Sequence, residues 1–413
     1  MVPSPLLPRL HTLYVSSLPA NGNHAVLYHI ISASLRFVEV SSFATAAFRS
    51  TRTFTTYLLS QAPDLHHFHV GDPDMMPKDV QDDLFSFRQL RTLRLTSLSR
   101  KLFWPICVLN ELPNLRMLLM DLSSQRTTAL DLNSGIPCQS VKVLHITWRV
   151  SPLFDLLAAL ETPNLCELHL TFLQNVGETA VRSTPGDSSL LGAVAKWSST
   201  LRTLNIDMTQ STRPRIFRDS KWPLLQFEHL QSMEVHASHV DGLLDSTPCW
   251  ELARSFPNIK SLSLPLSVRI SFRSLLALVF LCPHLRYLQV GINTISSLEV
   301  FSTTMVFPND LQTISVGDTT ALDHFTLARS LIISFPNLVD IVSPSPSWSS
   351  VNDLLRFAHS LEMARPRHET VSHALSLKHR NRMVQDPTDC QLPEELRLPW
   401  RHVPLWLSGF VRL

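Results

Sequence analysis

This sequence predicts an α/β fold, a leucine-rich-repeat solenoid, on three observations. First, the motif L-x-x-L-x-L, with other apolar residues admitted, begins at Leu10, Leu35, Leu65, Leu90, Leu115, Val141, Leu165, Leu201, Leu230, Ile259, Leu285, Leu311 and Leu338. Second, eight of the twelve intervals are 24–27 residues long, a period that marks stacked repeats of this kind. Third, proline stands two residues before the first Leu in seven copies: Pro8, Pro63, Pro113, Pro163, Pro257, Pro283 and Pro336.

Each copy supplies one strand and one connecting segment. The last two apolar residues of the motif are two apart, so they share one side of a strand, and the first sits on the turn leading into it. Leu90, Leu93 and Leu95 are a clear example, as are Leu201, Leu204 and Ile206. Burying three such side chains contributes about 1.5–3 kcal/mol each, before the entropy of ordering the chain. Proline ends the preceding helix and fixes the path into the strand. Pro-Asn recurs at Pro113, Pro163, Pro257, Pro308 and Pro336, a pair suited to a helix-ending turn.

The intervening segments read as helices on the convex side. Ser151 caps one, with Pro152 at its first position and Leu153, Leu156, Leu157 and Leu160 at helical spacing. Ser271 to Cys282 is a second. Ser350 and Asp353 open a third, with Leu354, Phe357, Ala358 and Leu361 on one face. A strand and a helix in about 26 residues describe a ribonuclease-inhibitor-like horseshoe of about 13 irregular repeats, with a parallel concave sheet and convex helices. The Asn that closes the common repeat eight residues after its first Leu is present only as Asn293, so a continuous Asn ladder at that position is excluded. The expected organisation is a solenoid over 6–345 and a C-terminal helical cap with a partly disordered basic tail over 346–413. The long interval from Leu165 to Leu201 holds a polar loop around Gly177 to Gly186, read as a surface loop.

Composition narrows the function. The chain has 413 residues, 44% of them hydrophobic and 17% charged, which is a folding composition. A formal net charge of +2 gives no overall pull towards nucleic acid or membrane. The six Cys include no C-x-x-C pair and read as reduced thiols. Met1-Val-Pro-Ser-Pro-Leu-Leu-Pro-Arg-Leu lacks the basic start and apolar run of a secretory signal. The most apolar run, Leu275 to Cys282, is eight residues long and too short to span a bilayer. The expected location is cytoplasmic or nuclear, with no membrane partner.

Outward residues of the strands form two columns along the sheet. One runs Tyr14, Glu39, His69, Arg94, Leu119, His145, His169 and onward to Val342; the other runs Thr12, Phe37, His67, Thr92, Met117, Val143, Glu167 and onward to Asp340. Aromatics, Met and Arg are the types enriched at interface cores. The candidate binding patch on the concave face is therefore Phe37, His67, His69, Arg94, Met117, Leu119, His145 and His169. Its later continuation is small and polar.

Chemistry is not expected. His145, His169 and Glu167 are metal-ligand types on adjacent strands, but solvated surface residues account for them, and neither a metal nor another cofactor is predicted. No phosphate-binding glycine loop, dinucleotide fingerprint, nucleophile elbow or H-E-x-x-H helix occurs. No catalytic residue is assigned, and the chain is read as a non-enzyme. The basic stretch Arg365, Arg367, Lys378, Arg380 and Arg382 reads as a solvated tail, not a nucleic-acid site.

The repeats Leu112-Pro-Asn-Leu-Arg-Met-Leu, Thr162-Pro-Asn-Leu-Cys-Glu-Leu-His-Leu, Phe256-Pro-Asn-Ile-Lys-Ser-Leu-Ser-Leu and Cys282-Pro-His-Leu-Arg-Tyr-Leu-Gln-Val resemble the irregular repeats of fungal F-box/leucine-rich-repeat proteins. The resemblance covers roughly residues 6–345. It implies substrate recruitment to a cullin–RING ubiquitin ligase, with repeats holding the substrate and an N-terminal F-box holding a Skp-type adaptor. No F-box precedes Leu10, and Leu392-Pro-Glu-Glu-Leu396, which matches the F-box opening, lies at the opposite end. The expectation is a protein–protein interaction module, the substrate-recognition part of an F-box-like receptor without its F-box. Its partner is a protein, with a Skp-type adaptor only where an upstream F-box exists. The alternative is an adaptor-independent repeat scaffold or regulator, for instance of a small GTPase.

Overall fold

The computed structural model describes residues 5–16, 25–42, 48–71, 83–84, 86–96, 109–122, 136–148, 156–157, 159–173, 193–209, 227–237, 243–244, 246–293, 309–317, 321 and 323–363. The chain divides into two compact units, Met1–Asp219 and Ser220–Leu413, a division that falls inside the 6–345 span read from the repeats.

In the first unit eight parallel strands follow one another in chain order: Thr12–Val15, Phe37–Val40, His67–Gly71, Thr92–Thr96, Met117–Leu122, Val143–Trp148, Glu167–Phe172 and Thr203–Met208. A short parallel pair, Ile136–Pro137 with Leu160–Glu161, accompanies them. In the second unit five parallel strands do the same: Ser232–Ala237, Ser261–Ser263, Tyr287–Gln289, Thr313–Ser315 and Asp340–Val342. A smaller parallel sheet there joins Leu243–Leu244, Arg269–Ser271 and Gly291–Asn293. Each of the thirteen predicted copies thus carries one strand, and the fold is the α/β leucine-rich-repeat solenoid that the period predicts.

The motif residues build the core. Twelve of the thirteen first positions are 0% exposed; Leu10, at the first copy, is partly exposed. The next two positions are buried in every described copy except the last, where Ser343 is half-buried. A fourth inward position, three residues before the first Leu, escapes the motif: Ala62, Phe87, Leu112, Cys138, Phe227, Phe256, Cys282 and Phe335 are all buried there. Its carbonyl accepts from the amide of the first Leu, as in Leu115 N to Leu112 O at 3.1 Å and Leu285 N to Cys282 O at 3.0 Å. A four-residue turn closed by this bond, with Pro second, is the geometry that proline's fixed φ favours.

The Asn of Pro-Asn does more than fit a turn. Asn114 Nδ2 donates to Arg88 O at 2.9 Å, Asn164 Nδ2 to Gln139 O at 2.7 Å, Asn258 Nδ2 to Glu228 O at 2.6 Å and Asn337 Nδ2 to Asn309 O at 2.6 Å. Each acceptor lies two residues before the first Leu of the preceding copy. These side chains staple successive turns together, a task the common repeat gives to an Asn at another position. Close strand approach sets a further constraint at Gly71, where a Cβ would fall 2.0 Å from the Ser41 carbonyl oxygen.

Helices occupy several of the described connections. Phe272–Leu281 matches the predicted Ser271–Cys282 segment: Ser271 Oγ accepts from Ser274 N at 3.1 Å, and Pro283 follows the C-cap Cys282. His324–Ser334 is capped the same way by Asp323, and its last turn is likewise followed by a proline, Pro336. The interval from Leu35 to Leu65 holds a 14-residue helix, Phe48–Gln61. Of the predicted Ser151 helix, Leu156 and Leu157 are helical and buried, whereas Leu160 begins a short strand; residues 151–155 lie outside the described ones.

The C-terminal helix needs correcting. It spans Ser347–Met363, starting three residues before Ser350. Its buried face is Trp348, Val351, Leu355 and Ala358, while Phe357 is 50% exposed. Trp348 sets this phase, because it is the largest apolar group on the helix and lies outside the window that begins at Ser350. The helix also satisfies the last strand: Ile341 N donates to Asn352 Oδ1 at 3.0 Å, Asn352 Nδ2 and Arg356 both donate to Asp340, and His359 bonds Leu338 O. The polar loop around Gly177 to Gly186 and the basic tail fall outside the described residues, as does Leu392 to Leu396.

Candidate protein-binding face

Strand register decides which outward residues meet. Phe37 pairs with His67 in one column, and His69, Arg94, Leu119, His145 and His169 are successive partners in the other. Met117 lies beside them between Thr92 and Val143. All eight predicted patch residues therefore share one open face of the first unit. Arg94 is exposed and the other seven are half-buried. Tyr14 extends the patch: it is 69% exposed and its ring lies 5.4 Å from that of Phe37.

The electrostatics differ from a count of basic residues. His145 and His169 lie with ring centroids 4.0 Å apart. Burial, and then the neighbouring His169, lowers the pKa of His145 to about 4, so it is neutral at pH 7. Burial and then Arg91 hold His67 below its ordinary value too. His69 Nδ1 lies 3.2 Å from Glu39 Oε2, and its Nε2 is buried with no hydrogen-bond partner among the described residues. His169 Nε2 is 4.0 Å from Glu167 Oε2. The permanent positive charge on the patch is that of Arg94; around it the face is aliphatic and imidazole.

Among the described residues no group of three or more His, Cys, Asp or Glu converges as a metal site. Cys138 and Cys282 are buried and Cys166 is half-buried. No helix among the described residues is long and apolar enough to cross a membrane.

A third aligned column was not read from the sequence. The residue after the first Leu is His11, Arg36, His66, Arg91, Arg116 and Lys142 in the first six copies. Extending the same alignment by one position would have revealed it.

No protein-family profile matches the chain, and no curated protein does. Among solved structures the chain is similar to one in a crystal structure of the Rad7 and Elc1 complex in yeast, at 13% identity. That superposition covers 77% of this chain and 78% of the other, with a TM-score of 0.43.

Proposed function

We propose that the chain is a non-catalytic protein-binding module that docks its partner on the open face bearing Phe37, His67, His69, Arg94, Met117, Leu119, His145 and His169. The observation that carries this reading is the strand register, which gathers these residues into one surface of the composition found at interface cores. In its finer form the module is the substrate-recognition part of an F-box-like ubiquitin-ligase receptor, working in the cytoplasm or nucleus. That form draws its support from the resemblance of the Pro-Asn repeats to those of fungal F-box proteins.

The test is affinity capture with the intact chain against Arg94→Glu combined with Leu119→Gln, followed by protein identification. Both side chains lie on the open face, so the variant keeps its circular dichroism and melting temperature. Partners held by the natural chain are expected to disappear from the variant. Capture of the same proteins at the same yield sinks the face. For the finer form, a captured partner accumulates in cells lacking the chain; unchanged partner turnover rejects the ligase role.

A further inference from the structure

The strands of a parallel sheet all begin at one edge, so the residue just before each strand lies in a row along it. Backbone hydrogen bonds tie that row together in the first unit. Arg36 N donates to His11 O at 2.9 Å, Arg91 N to His66 O at 2.7 Å, Arg116 N to Arg91 O at 2.8 Å and Lys142 N to Arg116 O at 2.8 Å. The row continues through Cys166 to Arg202, whose amide donates to Cys166 O at 2.7 Å. Five of its members, Arg36, Arg91, Arg116, Lys142 and Arg202, are permanent cations, and all but Arg36 are exposed.

Arg36 reaches Asp64 at 3.6 Å. Among the described residues Arg91, Arg116, Lys142 and Arg202 make no ion pair. His66, sitting within the row, is held below its ordinary pKa by desolvation first and then by Arg91 and Arg36. Like charges on adjacent parallel strands, about 4.8 Å apart, repel one another. The fold does not require them there. The same position in the second unit is Gln231, Lys260, Arg286, Gln312 and Val339, and Lys260 Nζ there donates to Gln231 Oε1 at 3.1 Å. The net charge of the whole chain is only +2, so this row is a local concentration and not a general basicity.

We propose that the row is a docking rail for an acidic, aliphatic-containing segment of a protein partner, an inference that rests on the binding-module reading above. Charge complementarity names the sign of the segment. The neighbouring surface names its class. Beside Arg91, Arg116 and Lys142 the open face carries Thr92, Met117 and Val143, then Arg94, Leu119 and His145. These are mainly aliphatic contacts, suited to Leu or Val side chains. Single-stranded nucleic acid takes aromatic faces on which successive bases stack, and no Phe, Tyr or Trp stands in this central stretch.

The test uses the full chain and a fluorescein-labelled peptide of repeating Glu-Glu-Leu, with a single-stranded oligothymidine as the competing class. The first variant combines Arg91→Gln, Arg116→Gln and Lys142→Gln, because two of the five equivalent turns of the second unit, at Gln231 and Gln312, already carry Gln. A second reverses the same three residues to Glu. The natural chain is expected to bind the peptide with an affinity that falls as salt rises. The Gln variant should lose about tenfold or more, and the Glu variant further still. Absence of peptide binding, or equal binding by the Gln variant, overturns the rail. Tighter binding of the oligothymidine through the same three residues overturns the partner class. The Arg94→Glu with Leu119→Gln variant separates the two readings. If it still captures its partners while the Gln variant loses the peptide, the open face fails and the rail stands; the reverse pattern sinks the rail alone.

Discussion

Leu204 is fully buried and faces Leu168 on the adjacent strand. Stacked repeats leave such a side chain no room to be replaced by relaxation alone, so Leu204→Ala removes transfer energy and opens a cavity. The expected loss is about 2–5 kcal/mol, read from the midpoint of urea unfolding. His145 makes the opposite kind of contribution. Its folded pKa is about 4, against about 6.5 when unfolded. Above pH 6.5 both states are neutral and the difference vanishes. Between pH 6.5 and 4 the unfolded chain binds the extra proton, so stability falls as pH falls across that window. Unfolding midpoints measured through that range should decline more steeply in the natural chain than in His145→Asn. A parallel decline in the two proteins would show that His145 is not the titrating group. Residue types and strand period sufficed to place both side chains on their correct faces. The charge of His145 was not legible, because it depends on a neighbour 24 residues away and on how much water the sheet excludes.

Turns and helices form the next scale. The bond from Asn164 Nδ2 to Gln139 O joins turns 25 residues apart in sequence. Asn164→Ala leaves the Gln139 carbonyl to water at an exposed site, so the expected cost is about 0.5–1.5 kcal/mol, measurable as a lower melting temperature. An unchanged melting point would mean that water replaces the staple without loss. Ser271 to Cys282 was readable as a helix because its signals agree: a capping Ser, an apolar run at helical spacing and a following Pro. Phe48–Gln61 was not, since Phe-Arg-Ser-Thr-Arg-Thr-Phe-Thr-Thr-Tyr is rich in β-branched and aromatic residues of modest helix propensity. Burial of Phe54 and Leu58 overrides that preference. The same competition explains the C-terminal helix, where one large side chain, Trp348, fixed the phase against the pattern from Ser350 onward.

At the scale of the whole molecule, stability in a repeat array is a sum of local terms and nearest-neighbour interfaces. The first unit illustrates why: Met117–Leu122 pairs with Thr92–Thr96 on one side and Val143–Trp148 on the other. The candidate face inherits this arrangement, since its columns are legible from the period while the binding chemistry depends on partners that the period does not encode. A cavity placed in one strand should therefore be felt by its two neighbours first. Leu118, fully buried in the middle of that run, supplies the test. In Leu118→Ala, amide hydrogen exchange should quicken in Thr92–Thr96 and Val143–Trp148 as well as in the mutated strand. Exchange in Thr12–Val15, three strands further along the same unit from Thr92–Thr96, should stay at its natural rate under conditions where the protein is otherwise folded. Uniform acceleration across all eight strands would instead show that the unit opens as one cooperative body, and the nearest-neighbour description would have to be abandoned for it.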